Sequence, residues 1–237
     1  MKLLVLAAGY ATRLYPLTLD RPKHLLDVAG RPILDHVLDA VEPIGFDGLY
    51  VVTNSKFADS FREWASGRDA TVVDDGTDTE ETRLGAIGDL DLVIRSQGLA
   101  DDLIVIAGDN LFSEPLQGFP PRRDAPVVAV YDVGDVEAIR KYNAIEIDDE
   151  GRIVFFEEKP EQPRSTLTGI ALYFYPASTL PLVGQYLAGG NNPDQPGRLV
   201  QWLYQRTPFY TWRVPGRWYD IGSHETLAEA DAVFSVQ

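Results

Sequence analysis

The amino-acid sequence predicts an α/β fold built on a mostly parallel sheet. Short apolar runs of the kind that form buried strands alternate with stretches of helical periodicity along the first half of the chain. In the second half the apolar runs lie closer together, and the turn sequence Asp-Asp-Glu-Gly joins two of them. The alternation is typical of strand–helix–strand units and the close spacing of a hairpin, so we expect a mixed sheet.

In the first half, four strands and one clear helix are predicted. The strands are the apolar runs at 3–7, 49–53, 71–73 and 103–107. The helix begins near Pro32, a favourable first-turn residue, and Asp35 and Asp39 point away from its apolar face. The residues of that face are Ile33, Leu34, Val37, Leu38 and Val41.

The second half is predicted to mix short strands with helices. The expected elements are a strand at 127–131, a helical turn at 135–141, a hairpin of 144–147 with 153–157, a strand at 170–175, and helices at 177–187, 198–204 and 225–233. Ser223 is a good N-cap for the last helix, and the Gly- and Pro-rich stretch 189–197 is predicted to be a mobile loop. We expect a single domain over 1–237, made of a first half over 1–125 and a mixed second half over 126–237.

Composition excludes several classes of protein. The formal net charge of -15 argues against a nucleic-acid partner, because such binding depends on a basic surface. No apolar run approaches the roughly 20 residues of a membrane span. Since the chain has no Cys and its three His are not clustered, any metal must bind to carboxylates.

A candidate phosphate-binding loop follows the first predicted strand. Small residues at Ala7, Ala8 and Gly9 allow the main chain to approach an anion closely, and Arg13 and Lys23 add positive charge. The stretch contains neither a P-loop nor a GxGxxG fingerprint. Its spacing alone leaves anion binding and an ordinary solvent-exposed basic loop equally open.

Two carboxylates occur at the ends of distant apolar segments. Asp109 follows the run IVIAG, and Asp220 lies in RWYDIG just before the last helix. Each could simply cap a turn. If the two are brought together, they suit a hard cation such as Mg²⁺, which binds a few carboxylates together with substrate phosphates and waters.

The stretch LAAGYATRLYPLT followed by RPKHLL resembles the signature of the sugar-1-phosphate nucleotidyltransferases, LAAGxGTRLxPxT…PKxL. The resemblance implies their Rossmann-like, three-layer fold with a mostly parallel central mixed sheet. It also implies that Arg13 clamps the triphosphate and that Lys23 contacts the α-phosphate in the transition state. The chain departs from the pattern at Ala11, where glycine is commoner, which puts the geometry of the loop in doubt.

Later motifs resemble the same family and imply further roles. By this resemblance Asp109 and Asp220 hold Mg²⁺, and FFEEKPEQP contains Glu158 for sugar hydroxyls and Lys159 for the sugar phosphate. The segment RLGAIGDL is similar to the family's LGTAGAL, so Leu84 and Gly85 would lie against the base.

The resemblance also implies that 1–125 mainly binds the nucleotide and that 126–237 mainly binds the sugar phosphate. Four more residues are implied for the sugar side. They are Tyr142, Asn143, Thr168 and Gly169. Asn143 replaces the usual glycine of the family's tyrosine-glycine pair, which weakens its assignment. By contrast, Arg198 is expected to be a surface arginine, and Trp218 and Tyr219 are expected to pack around Asp220.

The resemblance implies the reaction of an NTP with a sugar 1-phosphate to give an NDP-sugar and pyrophosphate, with dTTP or UTP as the favoured nucleotide. Two alternatives stay open: transfer from CTP to a non-sugar phosphate such as phosphocholine, and a nucleotide-sugar-binding regulator without catalysis. The nucleotide substrate and the lack of a targeting segment predict a cytoplasmic protein. Any homo-oligomer would have to form through the domain itself, because no extra C-terminal domain is expected.

Overall fold

The computed structural model describes residues 1–235 of the 237-residue chain. The strands are β1 (Lys2–Leu6), β2 (Asp27–Val28), β3 (Arg31–Pro32), β4 (Leu49–Thr53), β5 (Ala70–Asp74), β6 (Leu103–Ala107), β7 (Asn110–Phe112), β8 (Val127–Asp132), β9 (Asn143–Ile147), β10 (Ile153–Glu158), β11 (Leu167–Tyr175), β12 (Tyr210–Arg213) and β13 (Trp218–Asp220). The α-helices are α1 (Ile33–Val41), α2 (Ala58–Trp64), α3 (Ala86–Ser96), α4 (Leu180–Ala188), α5 (Pro196–Leu203) and α6 (His224–Phe234). None of the helices within 1–235 is both long and apolar enough to cross a membrane.

The largest sheet has the strand order β12-β8-β11-β6-β1-β4-β5. β1 runs parallel to β4, with Leu3 opposite Leu49, and β4 runs parallel to β5. β12 is parallel to β8, whereas β11 is antiparallel to it. This arrangement confirms the predicted α/β class and its mostly parallel, mixed central sheet.

Within the chain, two compact units can be distinguished. Unit 1 comprises Met1–Leu84, Ile106–Gln117 and the chain from Pro215 onward, and unit 2 comprises Gly85–Val105 and Gly118–Val214. These units differ from the predicted halves 1–125 and 126–237, because the last part of the chain returns to unit 1. Antiparallel pairing of β13 with β7 anchors this return. The single domain over 1–237 stays a prediction.

In unit 1, the apolar pattern of the sequence forms the core. Leu3, Leu4 and Val5 of β1 are fully buried. The predicted face of α1 is correct at four of its five residues, since Leu38 is only half-buried; Ala40, which was not predicted, is buried as well. Asp35 points away from that face as expected, and it accepts a hydrogen bond from the Trp64 indole at 2.8 Å.

Unit 2 contains the predicted hairpin as the antiparallel pair β9 and β10. β11 is longer than the predicted strand 170–175, because Leu167, Thr168 and Gly169 also pair with β8. The predicted helical turn at 135–141 is only a short 3₁₀ turn, Ala138–Lys141. Helix α5 begins at Pro196, inside the stretch predicted to be a loop.

The sequence patterns gave no bounds for α2 and α3 and missed the short strands β2, β3, β7, β12 and β13. Each of these strands has only two to four residues, which is too few for alternation to be recognised. The pairing of β7, β12 and β13 depends on partners far away in sequence, such as Trp218 opposite Phe112. Local composition therefore carries no signal for them.

Candidate active site

Strand β1 delivers three small residues to the loop that follows it. Ala7 donates its N–H to the carbonyl of Val52 at 2.9 Å, and the side-chain amide of Asn54 donates to the carbonyl of Ala8 at 2.9 Å. A methyl group built on Gly9 would meet no atom of the described chain within 4 Å. These two hydrogen bonds fix the start of the loop, whereas Gly9 borders open space. A ligand can therefore approach the backbone at Gly9 closely.

Ala11, where this chain departs from the family pattern, has a left-handed backbone conformation with φ 51° and ψ 42°. Its carbonyl accepts hydrogen bonds from the hydroxyl of Thr18 and the N–H of Leu14, both at 2.9 Å. These bonds hold a geometry that glycine adopts more easily. The loop therefore keeps a conformation typical of glycine without having a glycine there.

Lys23 and Asp109 form a largely buried ion pair in unit 1. Lys23 begins a 3₁₀ turn after Pro22, and Asp109 lies between β6 and β7. Only 12% of the Lys23 side chain and 19% of the Asp109 side chain are exposed. Burial raises the pKa of Asp109, but the Lys23 ammonium and the neighbouring His24 outweigh it and hold that pKa below its usual range.

Asp220 is brought beside Asp109 by the pairing of β13 with β7. Asp220 lies opposite Asn110, and Ile221 donates its N–H to the Asp109 carbonyl at 3.2 Å. Trp218 donates its indole N–H to the Asn110 side chain, which fits its predicted packing role. Burial and the Asp109 carboxylate raise the pKa of Asp220 to about 6, and the charges of Lys23 and Arg13 only partly offset this rise.

Arg13 lies at the exposed side of the same group. A methyl group built on Gly222 would lie 3.4 Å from its Nη2. Arg21 does not join this group, because its guanidinium pairs with the exposed carboxylate of Asp27 at 3.0 Å. Unit 1 therefore brings together Arg13, Lys23, Asp109 and Asp220, whose roles stay predictions.

The two carboxylates fit a magnesium ion. Asp220 has a raised pKa because its charge is buried beside that of Asp109. A further cation would therefore stabilise the ionised forms of both carboxylates. Within residues 1–235, no group of three or more Asp, Glu or His residues could hold a metal by itself. Mg²⁺ can bind through one or two carboxylates with waters and substrate phosphates as its other ligands, and its binding at Asp109 and Asp220 stays a prediction.

Leu84 and Gly85, the residues predicted to lie against the base, stand at the boundary between the units. Leu84 is half-buried and ends a segment of unit 1, while Gly85 is buried in unit 2 with φ +79°. A methyl group on Gly85 would lie 2.7 Å from the Pro193 carbonyl oxygen and 2.9 Å from the Asp194 Cα. Glycine is thus required here for packing, whatever its part in base binding.

The predicted sugar-side residues of β9 and β11 form one buried hydrogen-bonded group. The Asn143 amide donates to the Gly169 carbonyl at 2.9 Å and accepts from its N–H at 2.7 Å. The hydroxyl of Thr168 also donates to Asn143 at 3.3 Å. The Asn143 side chain and its backbone N–H, which donates to the Thr168 hydroxyl at 3.4 Å, are therefore both engaged within the protein.

Glu158 and Lys159 lie at the end of β10. Burial raises the pKa of Glu158 to about 7, although the Lys159 and Arg198 charges lower it. Lys159 is exposed and has a positive φ of 50°, and it donates its N–H to the Tyr142 carbonyl at 2.7 Å. Tyr142 is thereby placed beside the two residues of the Glu-Lys-Pro motif.

His24 is a residue of the site that sequence reasoning passed over. Its ring is buried, and a methyl group built on Gly108 would lie 2.9 Å from its Cδ2. Burial and the charge of Lys23 lower its pKa to about 4, and its Nδ1 has no hydrogen-bond partner in the described part of the chain. The sequence signal that could have identified His24 is its position directly after Lys23 in RPKHLL.

The fold and this geometry define an α/β protein with a basic, glycine-containing loop beside paired carboxylates. The sequence model of the nucleotidyl transferase family matches residues 2–235, and the chain therefore belongs to that family.

Individual relatives agree with this family. The chain is 31% identical over 181 residues to a UTP–glucose-1-phosphate uridylyltransferase of Haloferax volcanii, an alignment that covers 75% of this chain and 73% of that one. It is 27% identical over 234 residues to the bifunctional protein GlmU of Methanocaldococcus jannaschii, covering 98% of this chain and 53% of that protein.

Solved structures share the fold. A Bacillus anthracis protein described as a glucose-1-phosphate thymidylyltransferase superposes with a TM-score of 0.84 at 23% identity, covering 99% of this chain and 95% of that one. The chain spans about half the length of several curated relatives that it matches.

Proposed function

We propose that this chain transfers a nucleotidyl group from an NTP to a sugar 1-phosphate and releases pyrophosphate. The observation that carries the proposal is the convergence of Arg13, Lys23, Asp109 and Asp220 beside the open loop at Gly9. Family membership supports a nucleotidyl transfer, and the uridylyltransferase and thymidylyltransferase relatives support a sugar phosphate as acceptor.

The reaction needs charge neutralisation more than proton transfer. A phosphate oxygen of the sugar 1-phosphate attacks the α-phosphorus of the NTP, and the bond between the α-phosphorus and the bridging oxygen breaks to release pyrophosphate. Since the attacking oxygen is ionised at neutral pH, no general base is required. Arg13 would neutralise the triphosphate, and Lys23 would neutralise charge at the α-phosphate.

Asp109 and Asp220 would hold a Mg²⁺ ion. When bound, the ion supplies positive charge to the phosphate oxygens of the nucleotide. Lys23 keeps the Asp109 carboxylate ionised and oriented, because it lowers the pKa of that group. Asp220, with its pKa of about 6, would be ionised more fully by the same cation.

Substrate recognition is proposed to follow the resemblance. The backbone at Leu84 and Gly85 would contact a uracil or thymine base, so UTP or dTTP is expected. Glu158 would accept hydrogen bonds from sugar hydroxyls, and Lys159 would pair with the sugar phosphate. A cytoplasmic location is part of the proposal, because the NTP substrates are cytoplasmic, and a homo-oligomer is compatible with it.

Replacing Asp109 by Asn or Lys23 by Ala is expected to lower turnover by about 10²- to 10³-fold, by analogy with the loss of one oxyanion-hole donor in other enzymes. Lys23→Ala also leaves the largely buried Asp109 carboxylate without its partner, so a lower melting temperature is expected as well. Turnover is to be measured as pyrophosphate release at temperatures where circular dichroism shows a folded chain.

Arg21→Ala is the matched control for Lys23→Ala. Arg21 lies in the same segment but makes an exposed ion pair with Asp27, so its loss should leave turnover and stability nearly unchanged. Near-normal turnover in Asp109→Asn or Lys23→Ala would contradict the proposed roles.

The experiment that tests the function is pyrophosphate release over a grid of five NTPs and common sugar 1-phosphates, with Mg²⁺ and with a chelator. Magnesium-dependent release from one pairing is expected. Release only with CTP and phosphocholine would instead assign a non-sugar acceptor. Nucleotide-sugar binding in calorimetry without any turnover would assign a regulator.

A further inference from the structure

The first turn of α5 packs directly against the Glu158 carboxylate. A methyl group built on Gly197 would overlap Oε2 of Glu158 and would lie 3.0 Å from its Cδ and 3.3 Å from Phe156. Gly197 is the second residue of α5, a position where alanine is normally the better helix former. The glycine therefore leaves the space that the carboxylate occupies.

A second residue of α5 holds the backbone of Glu158. The side-chain oxygen of Gln201 accepts the Glu158 N–H at 3.0 Å. Arg198, between these two residues of α5, acts on the carboxylate through its positive charge. The end of β10 is thus fixed by α5 at both its backbone and its side chain.

The segment before α5 is itself anchored, so the helix has little room to withdraw. Arg198 donates from Nε to the Gln195 side chain at 2.6 Å, and Gln195 donates to the Asp194 carboxylate at 2.9 Å. The Pro193 carbonyl accepts the N–H of Ile87 at 2.8 Å, which ties the segment to α3. A methyl group on Gly197 would therefore displace the flexible Glu158 side chain rather than the helix.

One oxygen of Glu158 is unsatisfied within the protein. Oε2 is buried against Gly197 and has no hydrogen-bond partner within the described residues. The titratable groups that face this carboxylate are Lys159 at the end of β10, Arg198 on α5 and Tyr173 on β11. A buried polar atom without a partner is unfavourable, and a ligand hydroxyl would satisfy it.

We propose that Gly197 is a positioning residue that sets where the Glu158 carboxylate meets a hydroxyl group of the acceptor sugar. The inference rests on the proposed function, because Glu158 has a hydroxyl to bind only if the acceptor is a sugar phosphate. It makes α5, and not β10 alone, a determinant of acceptor specificity.

The test is Gly197→Ala. We expect the KM for the sugar 1-phosphate to rise about 10- to 100-fold, the range for loss of a hydrogen bond to a charged group, while the KM for the NTP changes less than about twofold. The matched control is Gly184→Ala in α4, where the new methyl group would meet only the Asp91 side chain at an ordinary 3.5 Å. Both KM values should be unchanged in that control.

A double-mutant cycle separates positioning from a general structural effect. If Gly197 acts through Glu158, then Gly197→Ala should have no further effect on the sugar KM in a Glu158→Ala background. An unchanged sugar KM in folded Gly197→Ala, or an equal further rise in the Glu158→Ala background, would overturn the proposal. Should Gly197→Ala prevent folding, Gln201→Ala is expected to give the same split between the two KM values.

A measurement without substrate distinguishes this proposal from the proposed function. The Glu158 carboxyl is titrated by NMR with ¹³C-labelled glutamate, and Glu158→Gln assigns its signal. In Gly197→Ala the displaced carboxylate should titrate well below the pKa of about 7 and nearer to its ordinary 4.5. A pKa that stays near 7 refutes the positioning role even if turnover is found, and a lowered pKa supports that role even if no sugar phosphate is turned over.

Discussion

Two residues of the candidate site have left-handed backbone conformations without being glycine. They are Ala11, with φ 51°, and Lys159, with φ 50°. Each is held by a hydrogen bond of its own backbone, Ala11 from the Thr18 hydroxyl and Lys159 to the Tyr142 carbonyl. Such conformations are unfavourable for residues with a Cβ atom and often occur at functional sites.

Ala11→Gly is expected to stabilise the chain slightly and to keep its activity. The left-handed conformation costs alanine about 1–2 kcal/mol, and replacement by glycine removes this cost. Glycine offsets about 0.5–1 kcal/mol of that gain in stability, because its unfolded state has a larger conformational entropy. The free energy of unfolding, measured in urea, should therefore rise by up to about 1 kcal/mol.

The control for this change is Ala228→Gly on the exposed side of α6. Because Ala228 is helical, the same substitution there should lower the free energy of unfolding by about 1 kcal/mol. Destabilisation of equal size in both variants would show that the left-handed conformation of Ala11 is unimportant in solution.

Glu158 is expected to make stability fall as pH rises from about 4.5 to about 7. Its pKa is raised from 4.5 to about 7 by burial, so the folded chain binds this proton more tightly than the unfolded chain. The contribution to stability is fully present below pH 4.5 and is lost as pH rises through 7, with an upper limit of about 3 kcal/mol.

Denaturant unfolding of the parent chain and of Glu158→Gln between pH 4 and pH 8 measures this contribution. The difference between the two free energies of unfolding isolates Glu158 from other groups that titrate in this range, such as Asp220. A difference that does not change with pH would contradict the raised pKa.

At the scale of elements, the short strand β13 and helix α6 together position Asp220. β13 pairs with β7, and the N-cap of α6, Ser223, lies three residues after Asp220. The Ser223 hydroxyl accepts the Thr226 N–H at 3.3 Å, and the Thr226 hydroxyl accepts the Ser223 N–H at 3.1 Å. This reciprocal capping box confirms the predicted N-cap and fixes the chain just beyond the candidate metal ligand.

Ser223→Ala is expected to lower the free energy of unfolding by about 1 kcal/mol, because the N–H of Thr226 loses its partner. For a chain of this size the melting temperature should fall by roughly 2–4 °C. Calorimetry of Ser223→Ala provides the measurement, with Ser60→Ala inside α2 as a control that should leave the melting temperature unchanged or raise it slightly, because alanine is the better helix former. Equal melting temperatures of Ser223→Ala and the parent chain would exclude a stabilising cap.

At the scale of the whole molecule, the net charge of -15 opposes folding through mutual repulsion. We expect the melting temperature to rise as salt increases to about 1 M, where the screening length falls to about 3 Å. Neutralising three exposed acids, Asp69→Asn, Asp149→Asn and Glu229→Gln, should weaken this salt dependence. A melting temperature that falls with salt in both chains would show that surface ion pairs outweigh the repulsion.

Much of the molecule could be predicted because its signals are local. The runs at 49–53 and 103–107 match β4 and β6 residue for residue, since buried parallel strands are apolar throughout. The loop residues Gly9 and Arg13, together with Lys23, were found because they lie within one continuous motif. The convergence of Asp109 with Asp220 needed the resemblance, because nothing between them in sequence indicates a contact.

The sequence by itself determined the α/β class, the helix faces and the residue types at the site, because periodicity and motifs act over a few neighbouring positions. Tertiary structure alone decided the return of the chain to unit 1, the burial that raises the pKa of Asp220 and Glu158, and the space at Gly197 that the Glu158 carboxylate occupies. These features depend on long-range pairing and on the low polarity of the packed interior, and both arise only when distant segments come together.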